Sequence, residues 1–275
     1  MDISNTFIDY QHIKSIVNLV GTQKFNIEVY KYLDSTNNYL VKKGSIQNCQ
    51  TIDVAVAEYQ TSGRGRYGRS WLSGPNEGLT FSLSRIFRLD LVTLHGLSLV
   101  IGIAIIRVLN SFGIVEVGLK WPNDIVSTVS LKKIAGILID IHQLSSCESR
   151  VVIGIGINFN LSSNTKRLIQ QSVTDLFSLV DFKLNRNVFL GNLLIELNQI
   201  LNSFENLGFL AFRDEWIKYH LYEGKEVKLI HGISNNIYGL VDGVGDDGAI
   251  SLITDGKKNF YHIGEFSLLP VDDCT

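Results

Sequence analysis

A polar, glycine-rich stretch (60–77) separates two strand-like segments, IDVAVAEY (52–59) and GLTFSLSRIF (78–87). Its heart, Gly63–Arg69 (GRGRYGR), puts three glycines and three arginines into seven positions, in a chain that is acidic overall. Glycine lets a backbone approach a ligand closely, and guanidinium forks neutralise carboxylate or phosphate oxygens. Taken alone, the loop reads as an anion-binding element, a solvated basic loop, or a nucleic-acid segment of the Arg-Gly-Gly kind.

The familiar phosphate motifs do not account for it. Gly63-Arg64-Gly65-Arg66-Tyr67-Gly68 formally matches G-x-G-x-x-G. That fingerprint needs a helix opening at the third glycine, to offer its N-terminus to a pyrophosphate. Here Trp71, Gly74-Pro75-Asn76 and a strand follow instead. A kinase glycine loop would require HRD-like and DFG-like segments downstream, and there are none; a Walker A lysine motif is also absent.

Composition narrows the class. The chain has 275 residues and 30.8 kDa, with 45% hydrophobic and 19% charged residues, as expected for a main globular domain plus an appendage. A net charge of −2 and a pI near 6.3 argue against a general nucleic-acid coat. Cys49, Cys147 and Cys274 are too few and too scattered for a disulfide framework or a CxxC zinc site. The N-terminus does not read as a signal peptide, and the apolar run Leu97–Ile106 stops at Arg107, well short of the roughly 20 residues of a membrane span. The expectation is a cytoplasmic protein. The six histidines and the acidic turn Asp242/Asp246/Asp247 match no metal-ligand spacing, so no metal site is expected and the turn reads as a hairpin.

Hydrophobic periodicity predicts helices at 12–20, from Ser35–Thr36 onward, and at 91–112, the last expected to be the longest. Strands are predicted at 115–120, 124–129, 134–142 and 150–158, followed by two helices over 187–220 broken at Gly208. After residue 222 the pattern becomes five short alternating segments with glycine and Asp-Gly turns (225–230, 237–244, 248–253, 258–263, 266–269), which suggests a small closed barrel. The expected division is 1–221 and 222–275. Fewer than about 30 residues precede the first catalytic-looking segment, too few for a three-helix DNA-reading domain.

Two further constellations point to chemistry. Lys120-Trp121-Pro122-Asn123-Asp124 ends a strand in a tight turn that brings a lysine and a carboxylate close together, and Lys133 opens the apolar run Ile134-Ala135-Gly136-Ile137-Leu138. An ammonium there can stand at a pocket mouth with its stem on aliphatic residues. Gly154-Ile155-Gly156-Ile157-Asn158 is a strand whose glycines leave room for a flat ligand and whose Asn158 can read a base edge; glycines merely tolerated in a buried strand would look the same. Ser35 and Thr36 by themselves fit helix caps equally well.

In this order the motifs resemble the biotin–protein ligase family: Asp34-Ser35-Thr36-Asn37, GRGRYGRSW (63–71), KWPND (120–124), KKIAGIL (132–138) and GIGINFN (154–160). The resemblance covers about residues 25–270. It implies an α+β fold with a central mixed or antiparallel sheet and packed helices, like class II aminoacyl-tRNA synthetases, plus a C-terminal SH3-like barrel. It implies activation of biotin with ATP and Mg2+ to biotinyl-5′-AMP, then transfer to a lysine of a biotin carboxyl carrier protein of a biotin-dependent carboxylase.

By this resemblance the catalytic residues are Arg64, Arg66, Lys133, Asp124 and Lys120. Biotin contacts fall to Ser35, Thr36, Asn37, Gln60, Arg64, Gly65, Arg66, Lys133 and Gly136, and nucleotide contacts to Arg66, Arg69, Trp71, Asn123 and Asn158. The chain departs from the family at Tyr67 and Leu269, where basic residues are common, and at Val173-Thr174-Asp175-Leu176, where some members place an aromatic over adenine. The expectation is a ligase without repressor activity, binding neither nucleic acid nor membrane, as a monomer or a homodimer paired through a sheet edge. The alternatives are a lipoate or octanoate ligase of the same fold, or a non-enzymatic nucleic-acid-binding module.

Overall fold

A computed structural model describes residues 7–19, 24–44, 51–231, 235–262 and 266–271. Seven strands form the main sheet: β1 (Lys24–Leu33), β2 (Thr51–Gln60), β3 (Gly78–Phe87), β4 (Val117–Lys120), β5 (Asp124–Ser127), β6 (Lys133–Gln143) and β7 (Ser149–Asn158). Their order is β1-β2-β3-β7-β6-β5-β4; β1 and β2 run parallel and every other neighbouring pair runs antiparallel.

The two faces of this sheet differ because side chains alternate along each strand. One cross-strand row, Val56-Phe81-Ile155-Ile137, is buried and apolar. It faces α3 (Leu97–Ser111) and α5 (Arg186–Leu207), with α1 (Tyr10–Val17) packed on α5. The adjacent row, Ala57-Thr80-Gly156-Gly136, carries almost no side-chain bulk and belongs to the other face. The short helix α2 (Thr36–Lys43) covers part of that face, over Ala55 and Val152. Burying an apolar side chain contributes roughly 1.5–3 kcal/mol, so the α3–α5 side supplies most of the stability and leaves the α2 side free for other work.

Helices α4 (Ser163–Leu168) and α6 (Arg213–Tyr219) complete the helical part. Strands β8 (Glu226–His231), β9 (Asn235–Val244), β10 (Ile250–Thr254), β11 (Lys257–Tyr261) and β12 (Phe266–Pro270) form a second, antiparallel sheet in the order β11-β10-β9-β8-β12. The acidic turn at 245–249 connects β9 and β10 as the expected hairpin. Among the described residues no helix is long and apolar enough to cross a membrane.

The structure corrects several expectations. The helix predicted over 91–112 begins at Leu97, because Asp90 closes the preceding turn by accepting from the Thr93 backbone and hydroxyl (2.8 and 2.6 Å). It therefore has 15 residues, and the longest helix is α5 with 22. The first helix is shifted to Tyr10–Val17, capped by the Asp9 carboxylate. Strand β1, at the sheet edge, falls where sequence analysis assigns no element. Gly208 does end α5, as expected.

The start of α5 is fastened to the sheet by a buried ion pair. Arg186 donates to Glu58 at 3.0 Å, to the Gly78 carbonyl at 2.9 Å and to Asn76 at 2.9 Å. Removing one partner strands the other charge in the interior. Arg186→Ala is expected to lower unfolding free energy in urea by about 3–5 kcal/mol; a loss under about 1 kcal/mol would show that water reaches Glu58 in the folded state.

Candidate functional site

The bare row of the sheet forms the floor of a pocket between α2 and the arginine loop. Its lining includes Ser35, Thr36, Asn37, Gln60, Arg64, Gly65, Arg66, Trp71, Asn123, Lys133, Gly136, Gly154 and Gly156. The glycines are required by contact. A Cβ on Gly154 would lie 2.2 Å from Asn37 Oδ1, and one on Gly156 2.4 Å from the Trp71 indole.

The α2 side of the pocket is a hydrogen-bonded cluster of neutral side chains and one carboxylate, Asp140. Ser35 caps α2 by accepting from the Asn38 amide at 3.4 Å, which fixes where Thr36 and Asn37 enter the pocket. Gln60 Oε1 accepts from the Thr36 backbone (2.8 Å) and hydroxyl (3.1 Å). Ser82, on β3, donates to Asn37 Oδ1 and approaches the Thr36 hydroxyl at 2.7 Å. Asn37 Nδ2 donates to Asp140 at 3.0 Å. Buried polar groups need such partners, and this network gives α2 its orientation.

The arginine loop and Lys133 supply the cations. The loop closes on itself through backbone bonds from Gly65 to Arg69 (2.7 Å) and from Trp71 to Gly63 (2.9 Å). Arg64 reaches Asn38 (2.8 Å) and Asp140 (3.3 Å). Arg66 donates to Asn123 at 3.1 Å, and Asn123 is held in turn by the Ile137 carbonyl at 2.9 Å. Lys133 lies 2.6 Å from Asp124 and 5.6 Å from the centre of the Trp71 ring. Burial pushes the Arg66 and Lys120 pKa values down; Asp124 opposes this for both, and Lys133 and Arg69 add to it for Lys120.

Of the residues singled out in the sequence, Ser35, Thr36, Asn37, Gln60, Arg64, Gly65, Arg66, Trp71, Asn123, Lys133 and Gly136 line this one pocket. Asp124 meets it through Lys133, while Arg69 lies on the outer concavity of the loop. Lys120 is the partner residue of Asp124 across the β4–β5 turn. Asn158 is 2% exposed, and its amide donates to the carbonyls of Thr174 (3.0 Å) and Lys133 (3.4 Å). On the same face of β7 as Gly154 and Gly156, it holds the Lys133 and Thr174 backbones and is not part of the pocket lining. Leu269 lies on β12; Gly264, Glu265, Cys49 and Cys274 lie outside the described residues.

Sequence reasoning missed Ser82 and Asp140. The available signal was a lone carboxylate in an otherwise apolar strand (ILIDI) and a serine on the small-residue face of β3. Tyr67 also has a distinct place: with φ 56° it is left-handed, and its hydroxyl accepts from Arg66 (2.8 Å) while donating to the Phe266 carbonyl on β12 (3.3 Å).

Residues 29–158 match the Biotin/lipoate A/B protein ligase family. The chain is 36% identical over 245 residues to the bifunctional ligase/repressor BirA of Salmonella typhimurium, covering 88% of this chain and 74% of that protein. The chain belongs to the biotin protein ligase family. It is also 28% identical to the biotin–[acetyl-CoA-carboxylase] ligase of Mycobacterium tuberculosis over 77% of each chain. The Aquifex aeolicus biotin protein ligase in complex with biotin and ATP superposes with a TM-score of 0.72 at 30% identity, covering 90% of this chain and 99% of that one.

Within this biotin protein ligase fold, the Gly154 position gives a direct test of the floor. Gly154→Ala is expected to cost about 1–3 kcal/mol in urea unfolding, because the methyl group must push Asn37 off Ser82 and Asp140. Unchanged stability would mean that α2 is not held against β7 as described.

Proposed function

We infer that this enzyme activates biotin with ATP and transfers it to a lysine of a carrier domain of a biotin-dependent carboxylase. The observation that carries the reading is the make-up of the pocket: the neutral hydrogen-bonding side chains Thr36, Asn37 and Gln60 line the same space as the cations Arg64, Arg66 and Lys133. Biotin offers a partner to both kinds of group, a neutral ureido ring joined by an apolar tail to a carboxylate.

In the first step a biotin carboxylate oxygen attacks the α-phosphorus of ATP. The bond from that phosphorus to the β-bridging oxygen breaks, and pyrophosphate leaves. Two anions must approach each other, so the work is charge neutralisation and positioning. Arg64, Arg66 and Lys133 fit that role. Asp124, 2.6 Å from Lys133, would aim its ammonium, with Lys120 adding charge nearby. Thr36, Asn37 and Gln60 would read the ureido ring, with Ser35 fixing their helix. The backbone of Gly65 and the space at Gly136 suit the tail. Arg66, Arg69, Trp71 and Asn123 would face the nucleotide, and Asn158 would act at one remove by fixing Lys133.

Magnesium would arrive with the phosphates of ATP and supply further charge neutralisation there. The pocket carboxylates do not form a cation cage: Asp124 is paired with Lys133 and Asp140 with Arg64. In the second step the carrier amine attacks the activated carbonyl, the bond to AMP breaks, and the amine sheds a proton. Asp124, beside Lys133, is our candidate to orient the amine or accept the proton. A water-sensitive mixed anhydride also explains why a glycine-rich loop should carry the arginines, since it can order over the product.

A lipoate ligase is less favoured, because a long apolar chain would leave the Thr36–Asn37–Gln60–Ser82 network unanswered. The acidic net charge argues against a nucleic-acid module. We place the boundary between the ligase unit (1–221) and an SH3-like C-terminal barrel (222–275) at the turn before β8, and assign the enzyme to the cytoplasm with its carboxylase client. A homodimer would pair through the edge strand β1, since His220 and Leu221 already bridge the outer side of β4 at Leu119.

The pocket as it stands encloses about 50 Å3, against the roughly 300 Å3 at which pockets for small organic ligands begin. The Trp71 indole lies over Gly156 and Gly136 in this pocket, and its buried N–H has no hydrogen-bond partner among the described residues. Adding biotin should therefore shift or quench tryptophan fluorescence, and Trp71→Phe should abolish that change. A ligand-induced signal that survives the substitution would place the binding movement elsewhere.

The activity itself is tested with purified enzyme, ATP, magnesium, biotin and a carrier domain, following carrier mass. Wild type should add one biotin, Lys133→Ala should lose at least about 100-fold in rate, and Asp124→Asn should slow transfer. Labelling at the normal rate in Lys133→Ala would overturn the assignment of that cation.

A further inference from the structure

Spacing along the chain offers no metal site, but folding assembles one set of donors away from the pocket. His95, Asp247 and His262 bring two imidazoles and a carboxylate together, with their ligand atoms all within 4.8 Å of one another. Their origins are far apart. His95 belongs to the turn before α3, Asp247 to the β9–β10 turn, and His262 follows β11. The cluster therefore bridges the helical part and the C-terminal sheet.

The backbone beneath these donors is fixed by packing. His95 and Asp247 are each followed by a glycine of positive φ, Gly96 (80°) and Gly248 (83°). These two glycines pack directly on each other: a Cβ on Gly248 would stand 2.9 Å from the Gly96 Cα. The buried Trp121 indole donates to the Gly248 carbonyl at 3.1 Å, which pins the same turn from the core side. The left-handed conformation and the close approach both demand glycine, so the two ligand-bearing turns are held in mutual register.

The side chains are already partly aligned. Asp247 Oδ1 accepts from the Ala249 amide at 3.0 Å, leaving Oδ2 3.3 Å from His262 Nδ1. Donors on a tetrahedral zinc ion, at 2.0–2.1 Å from the metal, stand about 3.4 Å apart. The rings of His95 and His262 lie 6.0 Å apart, centre to centre, and both residues are exposed, so rotamer adjustment can close the remaining gap and an ion can enter from solvent. Asp90, which closes the turn ahead of His95, adds negative charge to the neighbourhood.

We propose that His95, Asp247 and His262 form a binding site for a borderline divalent transition ion such as Zn2+, which cross-links the C-terminal sheet to the turn before α3. Two nitrogens and one carboxylate oxygen favour Zn2+ over Mg2+ or Ca2+, and three protein ligands leave the fourth position to water. The ion would be structural, apart from the pocket that holds Lys133.

The test is a Zn2+ titration of metal-free full-length protein by calorimetry, without nucleotide or biotin, alongside thermal unfolding. Wild type should bind one ion per chain and unfold at a higher temperature with Zn2+ than without. His262→Ala and Asp247→Asn should each weaken binding at least about tenfold and lose the thermal gain. Both are surface substitutions, and Asp247→Asn keeps a side-chain oxygen for the Ala249 amide. Cys147→Ser, which removes the exposed thiol, should bind as wild type does. Absence of saturable binding, or binding that His262→Ala and Asp247→Asn leave intact, would overturn the proposal.

Discussion

The site depends on cross-strand register. Because β2, β3, β7 and β6 pair as they do, Ala57, Thr80, Gly156 and Gly136 line up in one row and Ala55, Ser82, Gly154 and Leu138 in the next. A one-residue slip of β6 or β7 would turn its isoleucines into the pocket and its glycines into the core, and a slip of β3 would bring Phe81 into the pocket. The apolar rows against α3 and α5 make such a slip costly, so the force that folds the domain also clears the floor. The binding surface is the complement of the core pattern.

The arginines and lysine would repel one another without counter-charges. Asp140 answers Arg64 and Asp124 answers Lys133, from neighbouring strands β6 and β5. Both carboxylates sit on rigid elements, whereas the arginines ride on a loop. The loop is joined to the second sheet through the Tyr67 hydroxyl, which spans Arg66 and the Phe266 carbonyl. A basic residue at 67 would donate only; tyrosine accepts from Arg66 and donates onward. This is how the chain uses its departure from the common loop sequence.

Much of this could be read from the residues. The strand pairs around the loop, the break at Gly208 and the five C-terminal strands are local patterns of alternation and glycine, and they survive folding. The pocket residues were legible because their text is concentrated in a few motifs. Most of what escaped depends on distant partners. Strand β1 is the exception: it alternates regularly at Phe25-Asn26-Ile27-Glu28-Val29, a strand signal that sequence analysis passes over. Ser82 and Asp140 acquire meaning only when α2 lands on them. Asn158 looks like a ligand-reading amide until the carbonyls of Lys133 and Thr174 are placed over it. His95, Asp247 and His262 come from three segments that only tertiary packing joins.

The central claim is that one pocket reads a neutral polar ring and joins its carboxylate to an adenylate. The most direct measurement is acid-dependent ATP–pyrophosphate exchange without any carrier protein, comparing biotin with lipoate. Exchange is expected with biotin, and little above background with lipoate at equal concentration. Equal exchange with both acids would contradict the role given to the Thr36–Asn37–Gln60 cluster, and exchange with neither would contradict adenylation in this pocket.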